Sequence, residues 1–230
     1  MPLSPERLGS TGQTSALTIG LVVDRMDWHA REIAAALTAR GFGTAPIRLH
    51  LCGIATQNAC GLQIDGFGER LPDAVMVRSM SGGTFEAVTL RLGILHALRE
   101  CGVTVWNDAR AIERCVDKSM TSFLLARAGI ATPPTWAIES YDQARAIAQA
   151  ETKDAPLVLK PLFGSQGRGL RLIRKADDLP RAEDVAGGVY YLQRFVGIER
   201  GGYHDFRLLV VRGRVIAAMQ RHSTHWITNV

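Results

Sequence analysis

The chain has 230 residues, 47% of them hydrophobic and 21% charged, with a formal net charge of +5. That balance excludes a disordered polyelectrolyte and leaves room for one or two ordinary globular domains. No apolar run reaches the roughly 20 residues of a membrane span, and the lysines and arginines are scattered rather than gathered in a basic run, which argues against nucleic acid and suits anionic small molecules equally well. Residues 1–16 are rich in Ser, Thr, Gly and Pro and read as a disordered tail rather than a signal peptide. Cys52, Cys60, Cys101 and Cys115 form no CxxC pair. They are expected as reduced thiols in a cytoplasmic protein, with no zinc site.

In chain order, Leu17–Val23 reads as a strand, followed by Asp27 as an N-cap and a helix to about Arg40 with Ile33, Ala34 and Leu37 on one face. A strand near Ala45–Leu49 follows, then a loop or short strands to Glu69. Ala74–Val77 is a further strand, and Ser81–Thr84 leads into a helix carrying Val88, Leu92 and Leu95. Val103–Trp106 is the next strand. Strands alternating with helices predict a parallel α/β sheet over 17–114. Beyond it, Asp117-Lys118 opens a helix through Ala128, Pro133-Pro134 breaks the chain, and Ser140 with Gln143 forms a capping-box pattern for a helix to about Ala150. Asp177–Ala186 suits a short helix and Val189–Val196 a strand. Phe206–Val211 and Val215–Gln220 pair around Arg212-Gly213-Arg214.

The loop from Lys160 to Gly169 holds the strongest functional signal. Gly164, Gly167 and Gly169 make a turn, with Ser165, Gln166 and Arg168 between them and Lys160 just upstream. Such a turn lets backbone N–H groups approach a phosphate. Leu157-Val158-Leu159 runs in and Leu170–Ile173 runs out, so both flanks are strand-like. Walker and Rossmann loops instead lead from a strand into a helix. The expected object is a β-hairpin tip folded over a nucleotide. Taken alone, the glycines also suit an ordinary tight turn, and Lys118 also suits a solvated surface lysine.

The order of motifs carries more than any one of them. It runs Asp117-Lys118-Ser119-Met120, Ala128-Gly129-Ile130, Leu159-Lys160-Pro161, the glycine loop, Gln193-Arg194-Phe195-Val196, His204-Asp205-Phe206-Arg207, and Gln220-Arg221 through Thr228-Asn229-Val230. This order resembles the ATP-grasp ligases, and closely the RimK-like α-L-glutamate ligases. Upstream, Asp27-Trp28-His29, Val77–Gly83 and Asn107–Arg110 look like the members linked to tetrahydromethanopterin cofactor metabolism. The implied fold is α/β: an N-terminal pre-ATP-grasp parallel α/β domain (17–114), then an incomplete α+β ATP-grasp domain. The latter divides into a lysine and glycine-flap part (115–187) and a partial C-terminal part (188–230).

The resemblance also implies roles. Lys118 and Lys160 bind the ATP phosphates, and Gly164, Ser165, Gln166, Gly167, Arg168 and Gly169 cover them as a flap. Gln193, Arg194, Phe195 and Val196 are the adenine hinge, acting mainly through the backbone. Asp205 accepts from the ribose, and Arg221 and Asn229 face the γ-phosphate or the carboxylate being activated. The implied partners are ATP, L-glutamate and a carboxylate-bearing small molecule such as a pterin, with neither nucleic acid nor membrane, and a homo-oligomer is allowed.

Two departures stand out. Arg194 occupies the hinge position where the family commonly has Glu, and Ile227 lies where an arginine is often found. No Asp or Glu follows Asp205, so no metal ligand is assigned. The Mg²⁺ carboxylates are expected in a C-terminal segment beyond this chain, which reads as truncated. A nucleotide-binding fragment without catalysis is the alternative, and a basic nucleic-acid binder is a third reading. His204, His222 and His225 read as surface residues rather than a metal set, and His29 as a capping, packing or substrate-facing side chain.

Overall fold

The computed structural model describes residues 16–68, 70–164, 167–197 and 202–228. Ser165, Gln166 and Asn229, named above as site candidates, lie outside them. The chain divides into two compact units between Ile112 and Glu113.

The first unit holds β1 (Thr18–Val22), α1 (Trp28–Thr38), β2 (Gly43–Ile47), a small hairpin of β3 (Gly53–Ile54) and β4 (Leu62–Gln63), β5 (Ala74–Val77), α2 (Phe85–Glu100) and β6 (Thr104–Trp106). Four strands form a parallel sheet in the order β2-β1-β5-β6. Side chains alternate across it. Leu21 and Val23 pack with Ala30, Ile33 and Ala34 of α1, while Val22, Val75 and Val77 pack with Ile94, Leu95 and Leu98 of α2. A sheet covered on both faces needs apolar residues at successive positions, which is why these strands read as unbroken runs. Asp27 caps α1, its Oδ1 accepting from the Ala30 amide at 2.8 Å.

The helix α3 (Ala109–Val116) was not expected. It has eight residues, and although Ala109 and Ile112 pack on the core of the first unit, a run of two turns is shorter than the window over which a helical period is read.

In the second unit, α4 (Lys118–Arg127) starts at the Asp117 cap, whose Oδ1 accepts from the Ser119 and Met120 amides at 2.8 and 3.1 Å. Then come β7 (Thr135–Ile138), α5 (Tyr141–Glu151), β8 (Leu157–Lys160), β9 (Arg171–Ile173) and β10 (Tyr190–Arg194). They form an antiparallel sheet in the order β7-β10-β8-β9. The strand β7 was hidden by the Pro133-Pro134 break before it and by its length of four residues. Instead of one short helix over 177–186 there are separate 3₁₀ turns at Ala176–Asp178 and Ala182–Asp184. Pro180 lies between them and cannot donate to a continuous helix.

Alternation again sorts this sheet. Tyr190, Leu192, Leu157 and Leu159 face α5 and pack with Ala144 and Ala148. Tyr191, Gln193, Val158 and Lys160 therefore face the other way, and Tyr191 meets Ser122 of α4 there.

The last elements, β11 (Tyr203–Val211) and β12 (Arg214–Ser223), pair as a two-stranded ribbon. Its turn places Arg212 at φ 50° and Gly213 at φ 74°, the left-handed pair that a two-residue hairpin connection needs. Phe206, Leu208, Leu209, Val210, Ile216 and Met219 are all exposed on it. No helix among the described residues is long and apolar enough to cross a membrane.

Candidate functional site

The glycine loop is a hairpin tip, as its flanks predicted. Leu157 pairs with Ile173, Val158 with Leu172 and Leu159 with Arg171. The loop closes tightly: Gly169 has φ +72°, and a Cβ there would lie 2.9 Å from Pro161 Cγ. Gly169→Ala is therefore expected to cost about 1–2 kcal/mol through the left-handed backbone alone, read as a lower urea midpoint. An unchanged midpoint would remove Gly169 from the turn.

Beneath the loop lies a cavity of about 490 Å³, within the size range of small-molecule sites. Lys118, Lys160, Gly164, Gly167 and Arg168 line one part of it, and Pro133, Val158, Phe195, Val196 and Trp226 contribute apolar surface. Lys118 projects from the first turn of α4 and donates to the carbonyls of Leu162 and Gly164, at 3.1 and 2.9 Å. Burial pushes its ammonium below the ordinary lysine range, and Asp117 partly opposes this. Lys160 ends β8 on the cavity face and donates to Gln193 Oε1 at 2.6 Å. Burial first, and then the Lys118 charge, hold Lys160 below the ordinary range as well. Two desolvated ammonium groups in one hollow attract a multiply charged anion and repel each other without it.

The end of β10 forms another wall. The Phe195 amide donates to the Pro156 carbonyl at 2.8 Å, and the Arg194 amide to the Pro134 carbonyl at 2.9 Å. The amides of Arg194 and Phe195 are thus bonded to the neighbouring chain segments on either side of β10. Phe195 meets Trp226 edge to face, with ring centroids 6.0 Å apart. Arg194 lines the cavity, but its guanidinium pairs with Glu151 at the end of α5. This gives the Arg194 charge a partner within the fold. The alternation along β10 aims its side chain at α5, so any hinge contact to a base rests on the backbone.

Asp205 and Arg221 are direct cross-strand partners on the ribbon. The Arg221 guanidinium reaches both carboxylate oxygens, with Nε at 3.0 Å from Oδ1 and Nη2 at 2.5 Å from Oδ2, and Thr228 donates to the same carboxylate. These bonds hold Asp205 well below the usual carboxylate range. Thr228 and Ile227 line the cavity. Asp205, Arg221 and Gly169 are outside that lining. Among the described residues no three His, Cys, Asp or Glu side chains gather to hold a metal ion. With Asp205 engaged by Arg221, the described residues do not fit Mg²⁺.

The sequence reading missed Tyr191, Ser122, Thr135 and Glu151, which support the site from behind. A signal for the first existed. In Tyr190-Tyr191-Leu192-Gln193, Tyr191 stands two residues from Gln193 and so shares its face of the strand.

A RimK-like ATP-grasp domain matches residues 115–230. The chain is 31% identical over 235 residues to the tetrahydromethanopterin:α-L-glutamate ligase of Methanosarcina acetivorans, covering 92% of this chain and 70% of that relative. It is 36% identical over 133 residues to the ligase of the same name from Methanococcus maripaludis, covering 56% of this chain and 44% of the relative. Among solved structures, a RimK domain ATP-grasp protein of Sphaerobacter thermophilus superposes with a TM-score of 0.63 at 22% identity, over 89% of this chain and 72% of that one. The ATP-grasp ligase PsnB, solved with its minimal precursor, Mg and ADP, gives 0.56 at 21% identity over 88% and 72%. On the match over residues 115–230 and the identity to the Methanosarcina acetivorans relative, the chain belongs to the RimK-like ATP-grasp family.

Proposed function

We propose that the chain carries the nucleotide-binding machinery of an ATP-dependent ligase that joins L-glutamate to the carboxylate of a cofactor-like small molecule. The observation that carries this reading is the convergence of Lys118 and Lys160 on one cavity beneath the glycine hairpin. Family membership brings the use of ATP and Mg²⁺ with it. The relatives named above act on tetrahydromethanopterin, and another, 26% identical over 182 residues, is a coenzyme γ-F420-2:α-L-glutamate ligase. A flat, carboxylate-bearing heterocycle is therefore the acceptor class proposed here.

In this reading the triphosphate lies along Lys118 and Lys160, with the loop from Gly164 to Gly169 over it. The base lies against Phe195, Val196 and Trp226. Asp205 is bonded by Arg221 and Thr228 and paired with Arg207 at 3.5 Å, so a ribose hydroxyl would reach it by displacing one of these partners, and Arg221 with Asn229 serves the γ-phosphate or the activated carboxylate. A carboxylate oxygen of the acceptor attacks the γ-phosphorus, the bond to the β–γ bridging oxygen breaks, and ADP leaves. The amine of glutamate then attacks the acyl carbon, the bond to the phosphate oxygen breaks, and inorganic phosphate leaves as the amine sheds a proton to solvent. The protein's share is charge neutralisation and positioning. The loop keeps water from the acyl phosphate.

The test is incubation with Mg-ATP, L-glutamate and a panel of carboxylate-bearing pterins and deazaflavins, following ADP and product mass together. ADP accompanied by a product heavier by one glutamate residue is expected. Tight ATP binding without ADP would establish the alternative of nucleotide binding without turnover. That alternative draws on the engaged Asp205 and on the lack of a metal-binding cluster among the described residues.

A further inference from the structure

We propose that Gln193 is a positioning residue for Lys160, held in that role by Thr135, Tyr191 and Ser122, so that a polar relay from α4 through β10 fixes where the lysine ammonium sits. The inference deepens the nucleotide reading above and rests on it for its meaning, though its geometry is independent of any ligand.

The relay is locked by donor and acceptor chemistry. Thr135 Oγ1 donates its proton to the Pro133 carbonyl at 2.8 Å. It must therefore accept from Gln193 Nε2, 2.9 Å away. Gln193 Nε2 also lies 3.4 Å from the Tyr191 hydroxyl. The amide is thereby oriented, and its carbonyl oxygen is left facing Lys160 Nζ at 2.6 Å. A flipped amide would set N–H donors against an ammonium group, which has no acceptor. Behind them, the Tyr191 and Ser122 hydroxyls share a bond of 2.7 Å. Ser122 is buried, and it stands one turn along α4 from Lys118. The relay thus joins the elements that carry the two lysines.

Lys160 needs such a partner. The charged groups facing it are Lys118 from α4 and Arg168 from the loop, both cationic. The Tyr191 ring centroid lies 6.0 Å from Nζ. Among the described residues Lys160 forms no ion pair. A neutral oxygen supports the ammonium without cancelling the charge that a phosphate would meet.

Two substitutions separate this from a structural role, because they move one quantity in opposite directions. Gln193→Leu removes the oxygen, so the Lys160 proton should be lost at lower pH, by about one unit. Gln193→Glu supplies a carboxylate, so the proton should be retained to higher pH. The direct readout is the ¹³Cε resonance of Lys160, assigned with Lys160→Met and titrated in the chain without nucleotide. The second readout is the alkaline loss of ATP affinity, which should follow the same order. Lys160 titrating identically in all three proteins would overturn the proposal. Opposite shifts in the resonance in a chain that does not bind ATP would uphold the relay and remove the nucleotide reading, so the two failures are distinct.

Discussion

Lys160→Met is expected to lower ATP affinity by at least about tenfold while leaving the thermal midpoint unchanged or raised. The two effects have one cause. A charge-assisted bond from a buried ammonium to a phosphate contributes about 1.5–3 kcal/mol, and about 1.4 kcal/mol is already tenfold in a dissociation constant. Without a phosphate the same ammonium is a cost, since it is desolvated and lies near the Lys118 charge. An apolar side chain of similar length removes that cost, which offsets the loss of the 2.6 Å bond to Gln193. Calorimetric titration with ATP and a thermal melt on the same preparation check both halves. Equal affinity for the two proteins would take Lys160 out of the site. A large drop in the melting temperature would show that the lysine stabilises the fold instead.

Leu192→Ala is expected to destabilise the second unit by about 2–5 kcal/mol. Leu192 is fully buried, in a strand that pairs with β7 on one side and β8 on the other. The truncation leaves a hole between the sheet and α5. Tyr191 and Gln193 flank it and point to the opposite face, so the same change should disturb the lysine relay and weaken ATP binding. Urea unfolding followed by tryptophan fluorescence measures the first effect. A shift of less than 1 kcal/mol would mean that the α5 face repacks around the missing atoms.

Much of this was legible in the chain. The parallel sheet announced itself because strands buried on both faces must be apolar throughout, as Leu21-Val22-Val23 and Ala74–Val77 are. Asp27, Asp117 and Ser140 marked helix starts because a short acceptor side chain is what the first amides need. The glycine hairpin was readable from strand-like flanks on either side of a turn. Three features were not readable. The helix α3, at eight residues, is too short for its apolar spacing to be read as a period, and β7 is too short and too close to a proline pair. The destination of Arg194 depends on Glu151, forty-three residues earlier in the chain. Local sequence can show which face of β10 a residue takes, but not what waits on that face.

The pairing of Arg194 with Glu151 also bears on how such a chain can change over time. Among the described residues the buried Arg194 Nε has no hydrogen-bond partner, and Glu151 is the counter-ion of this arginine. Arg194→Glu, with no other change, would bring two carboxylates together at the end of α5. Losing Glu151 would strand a half-buried cation. Position 194 stands in the hinge motif, yet its charge is balanced by a residue of a helix packed on the far face of the sheet. Drift in this hinge must proceed by paired exchanges, or through an uncharged intermediate at one of the two positions.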